Sequence, residues 1–129
     1  MSDIHVLDAS ALLAALHDEP GVERVRELLP SARIASVNLA EVIAQLHARG
    51  VPETVIDEIL YDLDLSVVPF TTATARRAGL LRGATGPARL SLGDAACLAL
   101  AAELGGVAVT ANSGWSNLDL EIPIELLRP

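Results

Sequence analysis

The chain has 129 residues, a length that fits one domain of ordinary size. Hydrophobic residues make up 51% of it and aromatic residues only 2%, which excludes a disordered chain and predicts a core of Ala, Leu, Val and Ile. The formal net charge is −8 at pH 7, so the composition lacks the basic footprint of most nucleic-acid-binding proteins.

Cysteine usage and the N-terminal segment bear on the compartment. The single cysteine, Cys97, excludes an intramolecular disulfide and is typical of a reducing compartment such as the cytosol. The first residues carry no basic segment, and Asp8 interrupts the apolar stretch behind them, so we expect no secretory signal peptide. No uncharged apolar run of about 18 residues occurs, so we expect no membrane span. These features predict a cytoplasmic protein without membrane contact.

The first elements along the chain are a strand and two helices. Ile4–Leu7 is a predicted strand, and Ser10 is the predicted N-cap of a helix that runs to about His17. Pro20 suits the first turn of a second helix, whose apolar residues follow helical spacing as far as Leu29.

The middle of the chain repeats this pattern. Arg33–Val37 is a predicted strand, followed by a helix with Asn38 as its N-cap and Gly50 as its end. Pro52 opens the next predicted helix, and Leu65–Phe70 is the third predicted strand.

The last part of the chain adds two helices and two strands. Thr71 or Thr72 opens a helix that ends near Gly83, and the Gly-Pro sequence in Gly83–Leu90 predicts a loop. Ser91 is the predicted N-cap of a long Ala- and Leu-rich helix that reaches Leu104. The fourth and fifth predicted strands are Val107–Thr110 and Ile122–Leu126.

Alternation of strands and helices decides the predicted fold class. It indicates an α/β fold, a three-layer α/β/α sandwich with a mostly parallel central sheet. We expect residues 1–129 to form a single domain. In such sheets, ligands bind outside the carboxyl ends of the strands.

Three acidic residues lie where that rule places a ligand. Asp8 directly follows the first predicted strand, Glu41 lies one turn into the helix after the second, and Asp94 lies in the first turn of the helix that Ser91 opens. Taken singly, each has a structural explanation. Asn38-x-x-Glu41 and Ser91-x-x-Asp94 resemble capping boxes, and Asp8 suits a cap of the Asx type.

The shared position of these acids favours a metal site. Three carboxylates that converge without a cation repel one another, and at least one is forced toward protonation. Mg²⁺ or Mn²⁺ relieves this repulsion, because hard divalent cations prefer oxygen ligands. Phosphodiester hydrolysis commonly uses such clusters, in which one metal activates water and a second, ~4 Å away, stabilises the leaving oxygen.

Four sequence blocks carry a family resemblance: VLDASALLAAL, ASVNLAEVIAQL, LSLGDAACLALA and VAVTANSGWSNLDL. In this order, and over nearly the whole chain, they resemble PIN-domain ribonucleases, most closely the VapC-like toxins of type II toxin–antitoxin systems. The third block is the most specific. The resemblance implies a PIN-like fold, a ribonuclease that cleaves RNA with Mg²⁺ or Mn²⁺, a cognate antitoxin partner and a homodimer.

The resemblance also implies roles for individual residues. The implied catalytic metal ligands are Asp8, Glu41 and Asp94, and the implied hydrogen-bonding supports are Ser10, Asn38 and Thr110.

One position departs from the family pattern. A further acid usually follows the fourth strand, and here Asn112 and Gly114 occupy the corresponding places. Asn112 offers an oxygen without a charge, so we expect a weak or supporting ligand and weaker binding of a second metal in particular. Asp119 is nearby in sequence, but its Leu-Asp-Leu context is typical of a turn.

Possible RNA contacts outside the acids are few. All basic residues are Arg, and Arg82 and Arg89 are the candidates for a phosphate contact. Arg76 and Arg77 fit a solvated helix face at least as well. Trp115 either stacks on a base or fills the edge of the core, and we favour the core slightly.

Two other residue types are set aside. Cys97 lies among Ala and Leu and is expected to be packed. The histidines share no metal-binding spacing, so none is assigned as a general base; they are His5, His17 and His47.

Two alternative functions stay open from the sequence. With Asn112 in the loop, the domain could bind RNA or an antitoxin and cleave poorly. A nucleotide-binding α/β domain is unsupported, because the chain has neither G-x-G-x-x-G nor G-x-x-x-x-G-K-[ST] and contains no Lys.

Overall fold

Five short strands form one parallel sheet in the computed structural model, which describes residues 3–86 and 90–129. They are β1 (His5–Leu7), β2 (Arg33–Ala35), β3 (Ser66–Val68), β4 (Val107–Thr110) and β5 (Ile124–Leu126). The strand order is β3-β2-β1-β4-β5, and all four pairings are parallel. The predicted α/β class is confirmed, and the sheet of the described residues is parallel throughout.

Helices connect the strands and cover the sheet. They are α1 (Ala9–Leu16), α2 (Val22–Leu28), α3 (Ser36–Ala48), α4 (Glu53–Leu63), α5 (Thr72–Thr85) and α6 (Leu92–Leu104). A 3₁₀ turn at Ser113–Asn117 follows β4 and was not predicted. Within the described ranges, none of these helices has the length and apolarity that crossing a membrane requires.

The two faces of the sheet bury different residues of the same strands. Val6 and Ala108 pack with Leu98 of α6 on one face. Leu7 and Val109, the next residues along, pack against α1 and α2 on the other. Successive side chains of a strand point to opposite faces, so apolar residues at both positions require a cover on each side. This burial gives the three-layer α/β/α arrangement that the sequence predicts.

The strand order places a crevice between β1 and β4. The chain moves outward from β1 through β2 to β3, and then crosses back to the other side of β1 to form β4 and β5. Such a reversal leaves a gap between the flanking connections at the carboxyl ends of the two central strands. Asp8 lies at this point, and its backbone N–H donates to the Val109 carbonyl at 3.0 Å.

Two predicted N-caps are wrong. The α1 cap is Asp8 rather than Ser10, since the Asp8 carboxylate accepts from the Ala11 N–H at 2.8 Å. α3 begins at Ser36, directly after β2, so Asn38 lies inside its first turn and forms no capping box with Glu41. One residue separates β1 from α1 and none separates β2 from α3, so both caps lie closer to the strand than predicted.

Other boundaries differ by a few residues. Strands β2 and β3 end earlier than predicted, at Ala35 and Val68. Helix α5 continues beyond Gly83 to Thr85, whose hydroxyl donates to the carbonyl one turn earlier at 2.9 Å. The predicted capping box of Ser91 is confirmed. Positions 87–89 of the predicted loop lie outside the described residues.

Candidate functional site

A cavity of about 310 Å³ opens at the carboxyl ends of β1, β2 and β4. All three predicted acids line it, together with the predicted supporting residues Ser10, Asn38 and Asn112; the acids are Asp8, Glu41 and Asp94. They come from different helices, so the fold brings together side chains that are far apart in sequence. Thr110, the remaining supporting residue, is fully buried beside this cavity and contacts Asp8 directly.

The Asp8 carboxylate is held by three donors. The Thr110 hydroxyl donates to Oδ2 at 2.5 Å, the Ser10 hydroxyl donates to Oδ1 at 2.7 Å, and the Ala11 N–H donates to Oδ1 at 2.8 Å. Asp8 is 4% exposed, so a carboxylate there depends on such bonds. Hydrogen bonds to a charged acceptor contribute about 1.5–3 kcal/mol each, which fixes the carboxylate in one orientation.

Further bonds tie Ser10 and Thr110 to the end of β4. The Ala111 N–H donates to the Ser10 hydroxyl at 2.9 Å, and the Asn112 N–H donates to the Thr110 hydroxyl at 3.0 Å. The two hydroxyl oxygens are 3.2 Å apart. The predicted hydrogen bonds of Ser10 and Thr110 are therefore present, and their support of a metal ion stays a prediction.

Glu41 depends on Asn38 and on a glycine of α6. The Asn38 side-chain amide donates to Glu41 Oε1 at 2.9 Å and to the Gly93 carbonyl at 3.0 Å. The Glu41 carboxylate lies directly over Gly93, where a Cβ would come within 2.5 Å of Glu41 Cδ. Glycine at position 93 therefore makes room for the carboxylate. This contact joins the start of α3 to the start of α6.

Asp94 serves the first turn of α6 as well as the cavity. Its carboxylate accepts from the Ser91 N–H at 3.0 Å, and its own N–H donates to the Ser91 hydroxyl at 3.1 Å. The structural explanation for this acid is confirmed, and the same side chain lines the cavity with the other two. A carboxylate at a helix N-terminus is also favoured by the helix dipole.

The acids of the cavity interact electrostatically. Burial raises the pKa of Asp8; the hydrogen bonds from Thr110, Ser10 and Ala11 oppose the rise, and the Asp94 charge adds to it.

Glu41 responds in the same direction. Burial raises the pKa of Glu41, the Asn38 hydrogen bond opposes this, and the charges of Asp94 and Asp8 add to it. Mutual repulsion of this kind is relieved when a cation binds among the carboxylates.

The donor set fits a hard divalent cation. Carboxylate oxygens line the cavity, and Asn38 Oδ1 is a buried oxygen without a hydrogen-bond partner in the described part of the chain. The Asn38 orientation is determined by its neighbours, because its amide nitrogen faces two acceptors. Among residues 3–86 and 90–129, no three acidic, His or Cys side chains lie close enough to hold an ion by themselves.

Those weaker predicted RNA contacts that the structure describes do not line the cavity. Arg82 donates to the Leu90 carbonyl at 2.9 Å and does not line the cavity. Arg89 lies outside the described residues. Trp115 is 2% exposed and packs in the core with Leu98, so its ring offers no face to a base and the core alternative is the observed one. Asp119 is exposed and does not line the cavity.

Two further predictions concern the packing of Cys97 and the role of Asn112. Cys97 is fully buried, and burial, with added repulsion from the cavity acids, raises the pKa of its thiol, which fits a packed and unreactive side chain. Asn112 lines the cavity and caps the 3₁₀ turn, since its Oδ1 accepts from the Gly114 N–H at 2.9 Å. Its oxygen thus stabilises the turn, and its other lone pair stays available.

Five polar residues of the cavity were missed by the sequence reasoning: His17, Glu19, Gln45, Arg49 and Arg128. Gln45 and Arg49 follow Glu41 at successive intervals of four, so helical spacing could have identified them. His17 ends the helix that Asp8 begins. Nothing local to Arg128 indicates its position, because it reaches the cavity from beyond β5.

Comparisons with known proteins assign the chain to a family and match its fold. The model of the PIN domain family matches residues 5–120. Ribonuclease VapC42 of Mycobacterium tuberculosis is 30% identical over 125 residues, which covers 89% of this chain and 95% of that protein. A VapC ribonuclease of Mycobacterium bovis matches with the same identity and coverage.

Solved structures share the fold at lower identity. DNA-bound VapBC from Salmonella typhimurium superposes with a TM-score of 0.76 at 20% identity, covering 98% of this chain and 99% of that one. VapBC-1 from nontypeable Haemophilus influenzae superposes with a TM-score of 0.73 at 19% identity, covering 96% and 98%.

Proposed function

The chain belongs to the PIN-domain family, among its VapC-like members, and from this we propose that it is a metal-dependent endoribonuclease toxin. Its relatives at 30% identity are named as ribonucleases, which supports RNA as the substrate. The observation that carries the proposal is the meeting of Asp8, Glu41 and Asp94 at one cavity. Each is carried by a different helix or its N-cap, and their charges act on one another.

Mg²⁺ or Mn²⁺ is the proposed cofactor, and the three carboxylates are its proposed ligands. When bound, such an ion would lower the pKa of a water molecule and stabilise the charge that develops on the phosphate. Asp8 would present an oxygen in a fixed direction, because Thr110 and Ser10 hold its carboxylate from two sides. Asp94 would be positioned by its bond to the Ser91 N–H.

Glu41 would be positioned by its contacts with Asn38 and Gly93. The Asn38 amide holds one of its oxygens, and Gly93 leaves space for the carboxylate against α6. Asn38 also binds the Gly93 carbonyl, so the two helices that carry Glu41 and Asp94 are joined at the site. This bond would keep the two acids at a constant separation.

A second candidate function rests on Asn112. An acid at this place would add a negative charge to the cavity, whereas Asn112 offers only a neutral oxygen that also accepts from the Gly114 N–H. A site with one charge fewer would bind a second metal weakly. The chain would then bind RNA or a partner and cleave slowly.

An antitoxin is the proposed protein partner. The Salmonella and Haemophilus structures are described as VapBC, and a further fold relative from Klebsiella pneumoniae is described as a toxin–antitoxin complex, with a TM-score of 0.74. These relatives support a cognate antitoxin for this chain. A homodimer, a cytoplasmic location and a single domain over residues 1–129 stay predictions from the sequence.

The test is cleavage of a mixed pool of structured RNAs with Mg²⁺, with Mn²⁺ and with EDTA. Asp94→Asn is the active-site variant, and Asp62→Asn is its matched control, because Asp62 is an exposed acid of α4 away from the cavity. We expect cleavage that requires metal, is abolished by Asp94→Asn and is unchanged by Asp62→Asn.

Asn112→Asp decides between the two candidates. If the unsubstituted chain and the Asp62→Asn control are inert but Asn112→Asp cleaves, the chain is a nuclease fold with a disabled site. Cleavage that persists in EDTA, or that survives Asp94→Asn, would contradict the metal-dependent mechanism.

A further inference from the structure

The cavity continues along two helices that lead away from the acids. α1 and α3 follow the adjacent parallel strands β1 and β2 and pack together through Leu13 and Leu46. Glu41 and Gln45 of α3 and Arg49, its C-cap, are spaced by four residues and all line the cavity. Residues at this spacing share one helix face, and eight residues of helix span roughly 12 Å.

Cavity-lining residues also occur at both ends of α1. Asp8 is the N-cap of this helix and His17 is its C-cap, and both line the cavity. The cavity is therefore a groove between α1 and α3. The acids lie at the end where the helices begin, and His17 and Arg49 lie at the end where they finish.

A second arginine joins this far end from another part of the chain. Arg128 follows β5 and lines the groove, and one of its guanidinium nitrogens donates to the Pro20 carbonyl at 3.2 Å. In the described part of the chain, the Arg49 guanidinium has no hydrogen bond or ion pair at all. A guanidinium carries five N–H donors, so both arginines have donors to spare.

We infer that Arg49 and Arg128 bind backbone phosphates of the RNA strand whose scissile bond lies at the acids. This rests on the proposed ribonuclease function. A stacked strand has one phosphate per roughly 3.4 Å of its axis, so ~12 Å corresponds to three or four nucleotides from the cleavage site. Arginine suits this task because its planar fork donates two bonds to one phosphate.

Because the chain is acidic, RNA binding depends strongly on the few cations near the site. A protein of net charge −8, with three carboxylates at its active site, repels RNA unless cations are placed along the path of the strand. Most other described arginines bond to their own surroundings; Arg24, for example, forms a bidentate pair with Glu125. Glu19 also lines the groove and works against phosphate binding there.

The test measures binding of a fluorescent single-stranded RNA pool of random sequence, with Mg²⁺ present and cleavage prevented by Asp94→Asn in every protein. Arg49→Gln and Arg128→Gln are compared with two matched controls. Arg76 is, like Arg49, an exposed arginine whose side chain has no hydrogen bond or ion pair among the described residues. Arg33, like Arg128, donates to a backbone carbonyl. Neither control residue lines the groove.

We expect each groove variant to bind roughly tenfold more weakly. The slope of log K against log salt should also fall by about 0.7 for each phosphate contact removed from a single strand. The controls carry the same charge change and should leave both quantities near those of the parent. Glu19→Gln should tighten binding, because it removes the opposing charge.

Cleavage kinetics without Asp94→Asn separate the two proposals. Arg49→Gln should raise KM about tenfold with little change in kcat, since it removes binding rather than chemistry. If both groove variants match their controls while RNA is still cleaved, the groove inference is wrong and the ribonuclease proposal stands.

Two further outcomes are informative. Loss of salt slope in the groove variants of a chain that cleaves no RNA would keep the phosphate groove and reject the nuclease. If RNA binding is unchanged but the variants bind the antitoxin less tightly, the groove holds a protein segment and the inference is overturned.

Discussion

Gly93→Ala should disable the site while leaving the fold intact. A Cβ at this position would come within 2.5 Å of Glu41 Cδ and closer still to both carboxylate oxygens. Because the obstructing atoms are the end of a flexible side chain, the helices need not separate. Glu41 would rotate away and lose its bond from Asn38, which is now 2.9 Å long.

The effect on stability should be small because two contributions oppose each other. Replacing Gly by Ala inside a helix stabilises it by about 0.5–1 kcal/mol. Loss of the Asn38–Glu41 hydrogen bond destabilises by about 1 kcal/mol. The net change in Tm should therefore stay within roughly 4 °C. Displacing a proposed metal ligand by about 1 Å or more can lower kcat/KM by ~10²-fold.

The assay combines thermal unfolding, Mn²⁺ binding by calorimetry and RNA cleavage. Gly79→Ala and Gly83→Ala are matched controls, because both glycines lie in α5 and a Cβ there meets no atom within 4 Å. Mn²⁺ affinity should fall in Gly93→Ala and stay unchanged in the controls. Calorimetry reports the displaced ligand even if cleavage cannot be detected.

A double substitution tests the route of the effect. In a Glu41→Gln background, Gly93→Ala should cause little further loss, since the carboxylate it displaces is already gone. The reasoning is refuted if Gly93→Ala binds Mn²⁺ and cleaves RNA as well as Gly79→Ala does. It is also refuted if the protein unfolds, because the added methyl group would then have displaced the helix packing rather than the Glu41 side chain.

Three further predictions concern the charges of the site and the sheet edge. Asp8→Asn should abolish cleavage but raise the Tm measured in EDTA at pH 7. Burial raises the pKa of Asp8, so its ionised form opposes folding and its removal is stabilising. This increase in Tm should shrink as the pH falls toward 3.8, where Asp8 is protonated in both the folded and the unfolded state. Asn112→Asp should raise Mn²⁺ affinity severalfold by calorimetry, because it adds a negative charge to the cavity lining, and unchanged affinity would contradict this. Glu125→Gln should lower the Tm at pH 7 by no more than a few degrees, because the pair with Arg24 is partly exposed to solvent. The Arg24 hydrogen bond lowers the pKa of Glu125 below 4.5. The difference in Tm between the two proteins should therefore disappear as the pH falls through that lowered pKa. A Tm difference that stays constant with pH would contradict the pairing.

Several features of this protein follow from local sequence alone. Strand and helix order follows from the change between short β-branched runs and Ala- and Leu-rich stretches, because each periodicity is set by the nearest few residues. The Ser91–Asp94 capping box was predicted for the same reason. A parallel α/β sheet then places the residues after its strands at one edge, which was enough to group Asp8, Glu41 and Asp94.

The tertiary structure decided what surrounds those acids. The bond from Thr110 to Asp8 joins residues 102 positions apart, and the bond from Asn38 to Gly93 joins residues 55 apart. Asn38, which the sequence predicts as a helix cap, instead lies inside α3 and contacts α6. Arg128 reaches the groove only because β5 pairs with β4. Such contacts depend on which strands pair and how closely helices pack, and no short window of sequence carries that information.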